Sequence, residues 1–321
     1  MSDASHAVRA NDVAFAYGER QALRGVSFEV EKGAAFGFLG PNGSGKSTLF
    51  KLLSTIVPQQ SGSITMLGHD LGREPAAIRR RIGVVFQSPA VDKKLTVAEN
   101  LRYAGLLLNL GGKELATRID EVLAAAVLAD RRKDPVGELS GGLRRRVEIA
   151  KCLMARPDLV LLDEASTGLD PAARREMWKV LRAQEGLTIL FTTHLMEEAA
   201  DADRLMLLDE GAVVAHGRPG ELMEEVGGQV LEIETVDAEA LVAEMRTAFD
   251  VEATQVDQTV RMEGEGVQEL VPEVMKRFGD RIRRLHLAHP SLEDVFLHRT
   301  GKRFVVVEPE PDQKKKKRRR S

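Results

Sequence analysis

The chain has 321 residues, of which 43% are hydrophobic and 30% are charged, so it is long enough for about two domains with buried cores. The single cysteine, Cys152, excludes an intramolecular disulfide framework and a cysteine-rich zinc site, and no apolar run approaches the ~18 residues that cross a bilayer. The net charge is −3, and because the seven cations of residues 314–320 contribute +7, the rest of the chain is acidic at −10.

The N-terminal region predicts a β layer and no targeting signal. The first residues, MSDASHAVRAND, include acidic side chains and lack the apolar core of a signal peptide, so we expect a cytosolic location. Two segments between residues 8 and 33, VAFAYG and VSFEVEKG, have the composition of β-strands. They predict an antiparallel β layer ahead of the first functional motif.

A strand, a glycine-rich loop and a helix are predicted in residues 34–57. AAFGFLG predicts a buried strand, and Gly40-x4-Gly45-Lys46-Ser47 has the spacing of a phosphate-binding loop. Such a loop directs backbone N–H groups inward, and the dipole of the next helix adds positive potential, so we expect a bound polyphosphate. Lys46 would reach its terminal phosphates and Ser47 would ligate Mg²⁺. The helix is predicted from apolar residues at helical spacing: Leu49, Leu52, Leu53, Ile56 and Val57.

Residues 61–138 predict strands followed by a helical insertion. SGSITMLGHD and RIGVVFQ have strand composition, and the second stretch ends in the polar amide of Gln87. Two later stretches, LTVAENLRYAGLLL and ELATRIDEVLAAAVL, place apolar residues at helical spacing. We therefore predict a helical subdomain over about residues 88–138.

The next segment opens on Ser140, Gly141 and Gly142 and then predicts a helix that stops ahead of Pro157. Glycines at a helix N-terminus leave backbone N–H groups accessible. The segment therefore predicts a second anion site.

Two further apolar runs end in polar residues. LVLL is followed by the adjacent carboxylates of Asp163 and Glu164, and LTILFTTH ends in His194. Continuous apolar runs are typical of strands covered on both faces, and ligands bind at the carboxyl ends of such parallel strands. Because these strands alternate with helices, the sequence predicts an α/β fold.

The C-terminal part is predicted to be a smaller α+β unit. From Gln229 the element order is βαββαβ, which is compatible with a ferredoxin-like fold, and a last helix begins at Ser291. Three histidines lie close in sequence, but no cysteine or tight carboxylate cluster joins them, so solvated or packed side chains are expected rather than a metal site. They are His286, His289 and His298.

The predicted domains cover residues 1–224 and 225–302, and a basic tail covers residues 303–321. A run of like charges does not pack, so we expect disorder from about residue 307 onward. The tail could contact anionic lipid or nucleic acid, or it could serve only solubility, and the residues leave these alternatives open.

Six features together resemble the ATP-binding subunit of an ATP-binding cassette (ABC) transporter. They stand in the family's order between Tyr17 and about Gly217, and they are GPNGSGKST, the FQ that ends at Gln87, LSGGLRRR, LVLLDE, STGLD and His194. The resemblance implies a P-loop NTPase cassette with an antiparallel β layer and a helical insertion. It also implies ATP and Mg²⁺ as cofactors and ATP hydrolysis as the activity.

In this family two cassettes dimerise head to tail, which implies that each ATP lies between two chains. One chain would supply the phosphate loop, and the other would supply Ser140, Gly141 and Gly142 at the γ-phosphate. Tyr17 matches the aromatic residue that stacks on adenine. The matched loop residues are Gly40, Asn42, Gly43, Ser44, Gly45, Lys46, Ser47 and Thr48.

The other matched residues have catalytic or coupling roles in the family. The resemblance implies that Asp163 holds Mg²⁺ through water and that Glu164 activates the attacking water. His194 would contact the γ-phosphate, Gln87 would join the metal site and couple it to the membrane partner, and Asp170 would link the two ATP sites. Such a set suits phosphoryl transfer to water, in which positioning and charge neutralisation supply most of the rate.

Two positions depart from the commonest family pattern. Leu143 stands where Gln often follows Ser-Gly-Gly, and Ala165 stands where Pro often follows the glutamate. Neither change removes a charge or a phosphate contact, so hydrolysis is expected to survive. Leu143 before three arginines and the PSLEDVF stretch at residues 290–296 are similar to exporters of the daunorubicin-resistance type, a subgroup that transports drugs, polysaccharides and lipids.

The expected function is therefore the ATPase subunit of an exporter, a homodimer held at the cytoplasmic face of the membrane by a separate permease. The alternative is a soluble ABC-type ATPase that acts on the ribosome or on nucleic acid. Relatives of that kind usually carry two cassettes or a long coiled coil, and this chain has neither, so nucleic acid is the less favoured partner. A third hypothesis, compatible with the first, makes the C-terminal domain a binding module that gates the ATPase.

Overall fold

The computed structural model describes residues 5–249 and 251–304. The disorder expected from about residue 307 onward, and the alternative roles considered for the cations of residues 314–320, concern residues outside this part of the chain.

The strands of the described residues, in chain order, are β1 (His6–Tyr17), β2 (Arg20–Glu31), β3 (Ala35–Leu39), β4 (Ser63–Met66), β5 (His69–Asp70), β6 (Ile82–Val85), β7 (Leu159–Asp163), β8 (Thr188–Thr193), β9 (Arg204–Asp209), β10 (Ala212–Gly217), β11 (Gln229–Thr235), β12 (Ala253–Val256), β13 (Thr259–Gly264) and β14 (Ile282–Ala288). The α-helices are α1 (Lys46–Leu53), α2 (Pro75–Arg79), α3 (Val97–Leu107), α4 (Gly112–Ala125), α5 (Gly141–Leu153), α6 (Pro171–Arg182), α7 (Met196–Ala200), α8 (Pro219–Glu224), α9 (Ala238–Phe249), α10 (Val267–Phe278) and α11 (Leu292–Thr300).

The order of the strands confirms the predicted α/β class. An antiparallel sheet has the order β2-β1-β4-β5, and the predicted strand SGSITMLGHD is the hairpin of β4 and β5. The central sheet has the order β10-β9-β3-β8-β7-β6 and is parallel except for β10 at its edge. A further antiparallel sheet has the order β12-β13-β11-β14.

The central sheet is buried on both faces, which explains why its strands are continuous apolar runs. Every residue of β3 is buried. Along β7 the side chains alternate: Leu161 packs in a core with Leu49 of α1, and Leu162 packs in a second core with Ile149 of α5. Because β3, β6, β7 and β8 run parallel, their carboxyl ends lie at the same edge of the sheet.

Helix α1 is shorter than the sequence pattern predicts. It ends at Leu53, and the φ angle of Thr55 is 58°, in the left-handed region, so the helical path stops there. The three leucines of the predicted stripe are buried, but Ile56 is 52% exposed and Val57 is half-buried. The prediction that Ile56 and Val57 continue the helix is therefore wrong, because apolar spacing does not reveal where the backbone turns.

The predicted helical subdomain contains α3 and α4. Thr96 and Glu99 start α3 with a capping box, in which the Thr96 hydroxyl accepts from the N–H of Glu99 at 3.2 Å and the Glu99 carboxylate accepts from the N–H of Thr96 at 2.8 Å. Helices α3, α4 and α5 pack against one another. The C-terminal half of α3 and its C-cap Leu108 expose apolar side chains, here called the α3 apolar face: Tyr103, Leu106, Leu107 and Leu108.

The C-terminal segment has the predicted βαββαβ order. Its sheet, β14-β11-β13-β12, is antiparallel throughout, which is compatible with a ferredoxin-like fold. Helices α9 and α10 contribute to a core on this sheet, where Leu241 and Val274 pack with Leu231 and Ile233 of β11.

Helix α11 packs away from that core. Its buried residues Leu292, Val295 and Phe296 join the core that contains Leu207 of β9 and Ala215 of β10. It also contacts α7 and α8. Although α11 falls in the segment predicted as a separate domain, it packs in a core of the preceding one.

Arg261 ties α11 to the C-terminal sheet. This residue of β13 is 1% exposed, and its guanidinium lies 2.6 Å from Asp294 of α11, 2.6 Å from Glu263 and 3.0 Å from Glu232. A buried cation is costly unless it is paired, so these carboxylates stabilise it. Asp294 also accepts from the N–H of Ser291 at 2.6 Å and thereby caps α11.

Candidate active site

The glycine loop between β3 and α1 has a tightly constrained backbone. Gly43 and Gly45 have φ angles of 86° and 107°, which side chains rarely allow. A Cβ atom on Gly40 would lie 2.4 Å from the carbonyl oxygen of Leu208 and 2.5 Å from the hydroxyl of Ser44. The fold therefore requires glycine at these positions.

Lys46 begins α1 and turns back over this loop. Its buried ammonium donates to the carbonyl oxygens of Gly40 at 2.6 Å and Pro41 at 3.0 Å. Burial lowers the pKa of Lys46, while the nearby carboxylates of Glu164 and Asp163 raise that pKa. The cation is thus held in the loop and within electrostatic reach of both carboxylates.

The remaining donors of the loop fit the phosphates of a nucleotide with Mg²⁺. The Ser44 hydroxyl is buried and has no hydrogen-bond partner among the described residues. Asn42 is exposed on the loop, whereas Ser47, also exposed, and Thr48 lie in the first turn of α1. Hydroxyl and carboxylate oxygens, such as those of Ser47 and Asp163, are ligands that suit Mg²⁺.

The turn between β9 and β10 is hydrogen-bonded to the glycine loop. The N–H of Gly211 donates to the carbonyl oxygen of Ser44 at 3.0 Å, and the N–H of Arg24 donates to the carbonyl oxygen of Gly211 at 2.8 Å. The ammonium of Lys302, just after α11, lies 3.0 Å from Asp209 and 2.8 Å from Glu210. The C-terminal segment therefore contacts the same turn that holds the phosphate loop.

Asp163 and Glu164 lie where β7 ends, as predicted. The Thr192 hydroxyl donates to Oδ1 of Asp163 at 2.8 Å and accepts from the N–H of Glu164 at 3.0 Å. Burial raises the pKa of Asp163, and the hydrogen bond from Thr192 opposes this shift. The φ angle of Glu164 is 44°, a left-handed conformation that is strained for a residue with a side chain.

Gln87 and His194 converge on one oxygen of Glu164. Nε2 of Gln87 donates to Oε2 of Glu164 at 3.0 Å, and Nδ1 of His194 lies 3.4 Å from the same atom. These side chains leave from the ends of β6, β7 and β8, which are neighbours in the central sheet. The fold thus brings together three of the predicted catalytic residues, and the fourth, Lys46, is close enough to interact with Glu164 electrostatically.

Arg145 holds the segment that carries Gln87. Its buried guanidinium donates to the carbonyl oxygens of Phe86 at 2.8 Å and Gln87 at 3.0 Å, and it pairs with Glu148 at 2.7 Å. This role was missed, because the letters RRR do not show which arginine faces inward. The bridging role of Thr192 was missed as well, and its place two residues before His194 is the signal that could have revealed it.

The Ser-Gly-Gly segment starts α5, as predicted. Ser140 and Gly141 are exposed, and the Ser140 hydroxyl caps the helix by accepting from the N–H of Leu143 at 3.3 Å. A Cβ atom on Gly142 would lie 2.6 Å from Cβ of Ala173 on α6, so this glycine permits two helices to approach. Helix α5 packs mainly against α3, α4, α6 and β6, whereas α1 packs against β2, β7 and β8.

Asp170 and Tyr17 have their own local contacts. The Asp170 carboxylate accepts from the N–H groups of Ala172 at 3.0 Å and Ala173 at 2.9 Å, so within one chain it caps α6. Tyr17 ends β1, is 46% exposed and packs edge-on against Phe15 with ring centroids 4.9 Å apart. Its exposed ring is accessible to a stacking partner.

Comparison with known proteins gives a consistent assignment. The family described as ABC transporter matches residues 23–167. The daunorubicin resistance ATP-binding protein DrrA3 of Streptomyces coeruleorubidus is 37% identical over 294 residues, which cover 89% of this chain and 93% of that protein. The Nod factor export ATP-binding protein I of Rhizobium sp. (strain N33) is 38% identical over 297 residues, which cover 89% of this chain and 94% of that protein.

A solved structure shows the same cassette fold. It is a dimeric post-hydrolysis state of the ATP-binding cassette MJ0796 bound to ADP and Pi, with a TM-score of 0.58 and 27% identity over 66% of this chain and 98% of that chain. The glycine loop and the adjacent carboxylates form the kind of site that an ATP-binding protein requires, and the relatives that carry this name match about nine tenths of the chain. The chain therefore belongs to the ABC transporter family and is one of its ATP-binding, ATP-hydrolysing cassettes.

Proposed function

We propose that this chain dimerises around ATP and powers a separate permease for export at the cytoplasmic face of the membrane. The observation that carries the hydrolytic site is the convergence of Gln87 and His194 on Oε2 of Glu164, within electrostatic reach of Lys46. Export is supported by relatives named for daunorubicin resistance and for Nod factor export. The proposed cargo class is a drug, a lipid or a polysaccharide.

The site residues have complementary tasks in this proposal. Lys46 and the loop N–H groups bind the phosphates, and Ser47, Asp163 and Gln87 hold Mg²⁺, directly or through water. Bound Mg²⁺ neutralises charge that develops on the phosphate oxygens during transfer. Glu164 accepts a proton from the attacking water, and His194 orients this carboxylate and contacts the γ-phosphate.

A second copy of the chain completes the site. Ser140 and Gly141 are exposed at the start of α5. Within one chain α5 packs mainly against α3, α4, α6 and β6, whereas α1, which follows the phosphate loop, packs mainly against β2, β7 and β8. In a head-to-tail dimer, Ser140 and the N–H groups of Gly141 and Gly142 cover the γ-phosphate held by the partner subunit. Tyr17 stacks on adenine, and Asp170 lies close to the dimer contact.

The permease is proposed to dock on the helical subdomain. The α3 apolar face includes Leu107, which is 85% exposed, and three of its residues, Tyr103, Leu107 and Leu108, line a groove of about 720 Å³. Ala90, Leu95, Ala104 and Lys151 are among the other residues that line it. Exposed apolar patches mark protein contacts. The groove also reaches the segment after Gln87, so a docked helix would lie near the hydrolytic site. None of the helices in residues 5–249 and 251–304 is long and apolar enough to cross a membrane.

Affinity capture tests this function directly. The Glu164→Gln variant, loaded with ATP, would be captured from detergent-solubilised membranes, and the chains that co-purify would be identified. We expect a multi-span membrane protein. Leu107→Lys is the matched variant for docking, because it changes one exposed side chain on α3, and it should reduce the recovery of that protein without loss of ATP binding.

The chains recovered in this capture also test the alternative function. Recovery of ribosomes or nucleic acid without a membrane protein would replace export by the soluble-ATPase function. Removal of residues 314–320 tests whether the basic tail contacts anionic lipid, because a lipid-binding tail would be seen as a decrease in binding to vesicles that contain anionic lipid.

A further inference from the structure

A single hydroxyl connects the two adjacent carboxylates of the site. Strands β7 and β8 run parallel, and their register places Asp163 beside Thr192. The Thr192 hydroxyl donates to Oδ1 of Asp163 at 2.8 Å and accepts from the backbone N–H of Glu164 at 3.0 Å. Thr192 is 2% exposed, so water does not compete for these hydrogen bonds.

The two hydrogen bonds fix one orientation of the hydroxyl. A hydroxyl carries one proton, and here it is donated to Asp163, so only the lone pairs of the oxygen are left to face the N–H of Glu164. The same N–H also lies 3.2 Å from the carbonyl oxygen of Thr192. Thr192 thus determines the rotation of one carboxylate and the backbone position of the other.

The backbone of Glu164 needs such support. Its φ angle of 44° is left-handed, and a conformation of this kind persists only where the surroundings fix it. The backbone N–H of Glu164 donates hydrogen bonds to the hydroxyl and to the carbonyl oxygen of Thr192. These bonds fix the backbone of Glu164 and so the direction in which its side chain extends toward Gln87 and His194.

We propose that Thr192 is a positioning residue that prepares Asp163 for Mg²⁺ and Glu164 for its attacking water. This inference rests on the proposed roles of those two carboxylates. Hydrogen-bond partners that orient metal ligands typically affect metal affinity or activity by about 10–100-fold when they are changed. Thr192 occupies such a place because its hydroxyl bonds to one of these residues through the carboxylate and to the other through the backbone.

The neighbouring threonine provides a matched control. Thr193 is also buried, but its hydroxyl accepts from the N–H of Leu195 at 3.0 Å and thus serves the turn after β8. Thr→Val keeps the shape of the side chain and removes the hydroxyl. Comparison of Thr192→Val with Thr193→Val therefore separates the bridge to the carboxylates from general packing in β8.

The decisive measurement is the Mg²⁺ dependence of nucleotide binding by the full chain. A fluorescent ATP analogue would be titrated in EDTA and then at increasing Mg²⁺. We expect Thr192→Val to raise the midpoint for Mg²⁺ about tenfold or more, and to leave binding in EDTA as in the wild type. Thr192→Ser keeps the hydroxyl and should restore the midpoint, and Thr193→Val should match the wild type.

The combination with Asp163→Asn gives an independent readout. In the Asp163→Asn background, Thr192→Val should cause little further rise in the Mg²⁺ concentration at the midpoint. The two effects are not additive because Thr192 acts on Mg²⁺ through Asp163. The proposal is overturned if Thr192→Val has the wild-type midpoint, or if Thr192→Ser is as impaired as Thr192→Val. If Thr192→Val does not fold, Thr192→Cys, which has a much weaker donor, is expected to show the same rise.

Failure of the proposed function would look different. If the wild type showed no Mg²⁺ dependence, or if Asp163→Asn alone had no effect, the metal role of Asp163 would be wrong and Thr192 would have no metal site to position.

Discussion

Nε2 of Gln87 donates to Oε2 of Glu164 at 3.0 Å, so the segment that follows β6 is hydrogen-bonded to the carboxylate that follows β7. The backbone carbonyl of Gln87 is held in turn by Arg145 of α5. The candidate base is thereby connected through two contacts to α5, which packs against α3 and α4 of the helical subdomain. A permease that moved this subdomain would move the immediate surroundings of the base.

Replacement of Glu164 by Gln should abolish most turnover and leave ATP binding intact. The amide keeps the size of the side chain but cannot accept a proton from water, and general-base catalysis contributes about 10²–10⁴-fold. Phosphate release gives the rate, and light scattering with and without ATP should show a dimer that persists in the variant. Glu197→Gln, at an exposed carboxylate on α7, is the control. Turnover at the wild-type rate would require a different base.

Replacement of Lys46 by Ala should weaken nucleotide binding by roughly 10–100-fold, because a hydrogen bond from a charged group contributes about 1.5–3 kcal/mol. Calorimetric titration with ATP measures this directly. Lys51→Ala removes an exposed cation from the same helix and should change the affinity by less than about twofold. Unchanged affinity in Lys46→Ala would contradict the phosphate-loop assignment.

Replacement of Arg145 by Met should lower the free energy of unfolding by about 3–5 kcal/mol, because it leaves the buried carboxylate of Glu148 without its cation. Arg132→Met is the matched control, since Arg132 pairs with Asp120 at the surface and such pairs contribute about 1 kcal/mol or less. Urea unfolding of both variants gives the difference. Equal, small losses would show that the Arg145 pair is not essential to the core.

Replacement of Phe296 by Ala should destabilise the cassette, although this residue lies in the C-terminal segment. The buried ring joins a core of the preceding domain, and the loss of such a ring typically costs about 3–5 kcal/mol. The single tryptophan, Trp178, packs against Phe191 with centroids 4.8 Å apart and reports unfolding of that core by fluorescence. Leu107→Ala, at an exposed site, should stay within about 0.5 kcal/mol. A Trp178 transition unaffected by Phe296→Ala would assign α11 to an independent unit.

Features encoded within one short segment could be predicted from the sequence. The phosphate loop, the apolar strands and the polar residues at their ends all depend on local spacing, and the parallel sheet then brings Gln87, Glu164 and His194 together. The contacts that support them could not be predicted in this way. Arg145 reaches the carbonyl oxygens of Phe86 and Gln87, and Thr192 reaches Asp163 on a neighbouring strand, so both roles depend on which side chains the folded chain brings into contact. The end of α1 was misjudged for a related reason, because the turn at Thr55 leaves no trace in the apolar spacing.

Helix α11 makes the core of the ATP-binding cassette depend on the C-terminal segment. Leu292, Val295 and Phe296 fill a core that belongs to β9 and β10, while Asp294 of the same helix pairs with Arg261 of the C-terminal sheet. A cut after residue 224 would remove α11, expose apolar side chains of β9 and β10 and thereby destabilise the cassette. A cut just before α11 would instead leave the buried Arg261 without one of its three carboxylate partners.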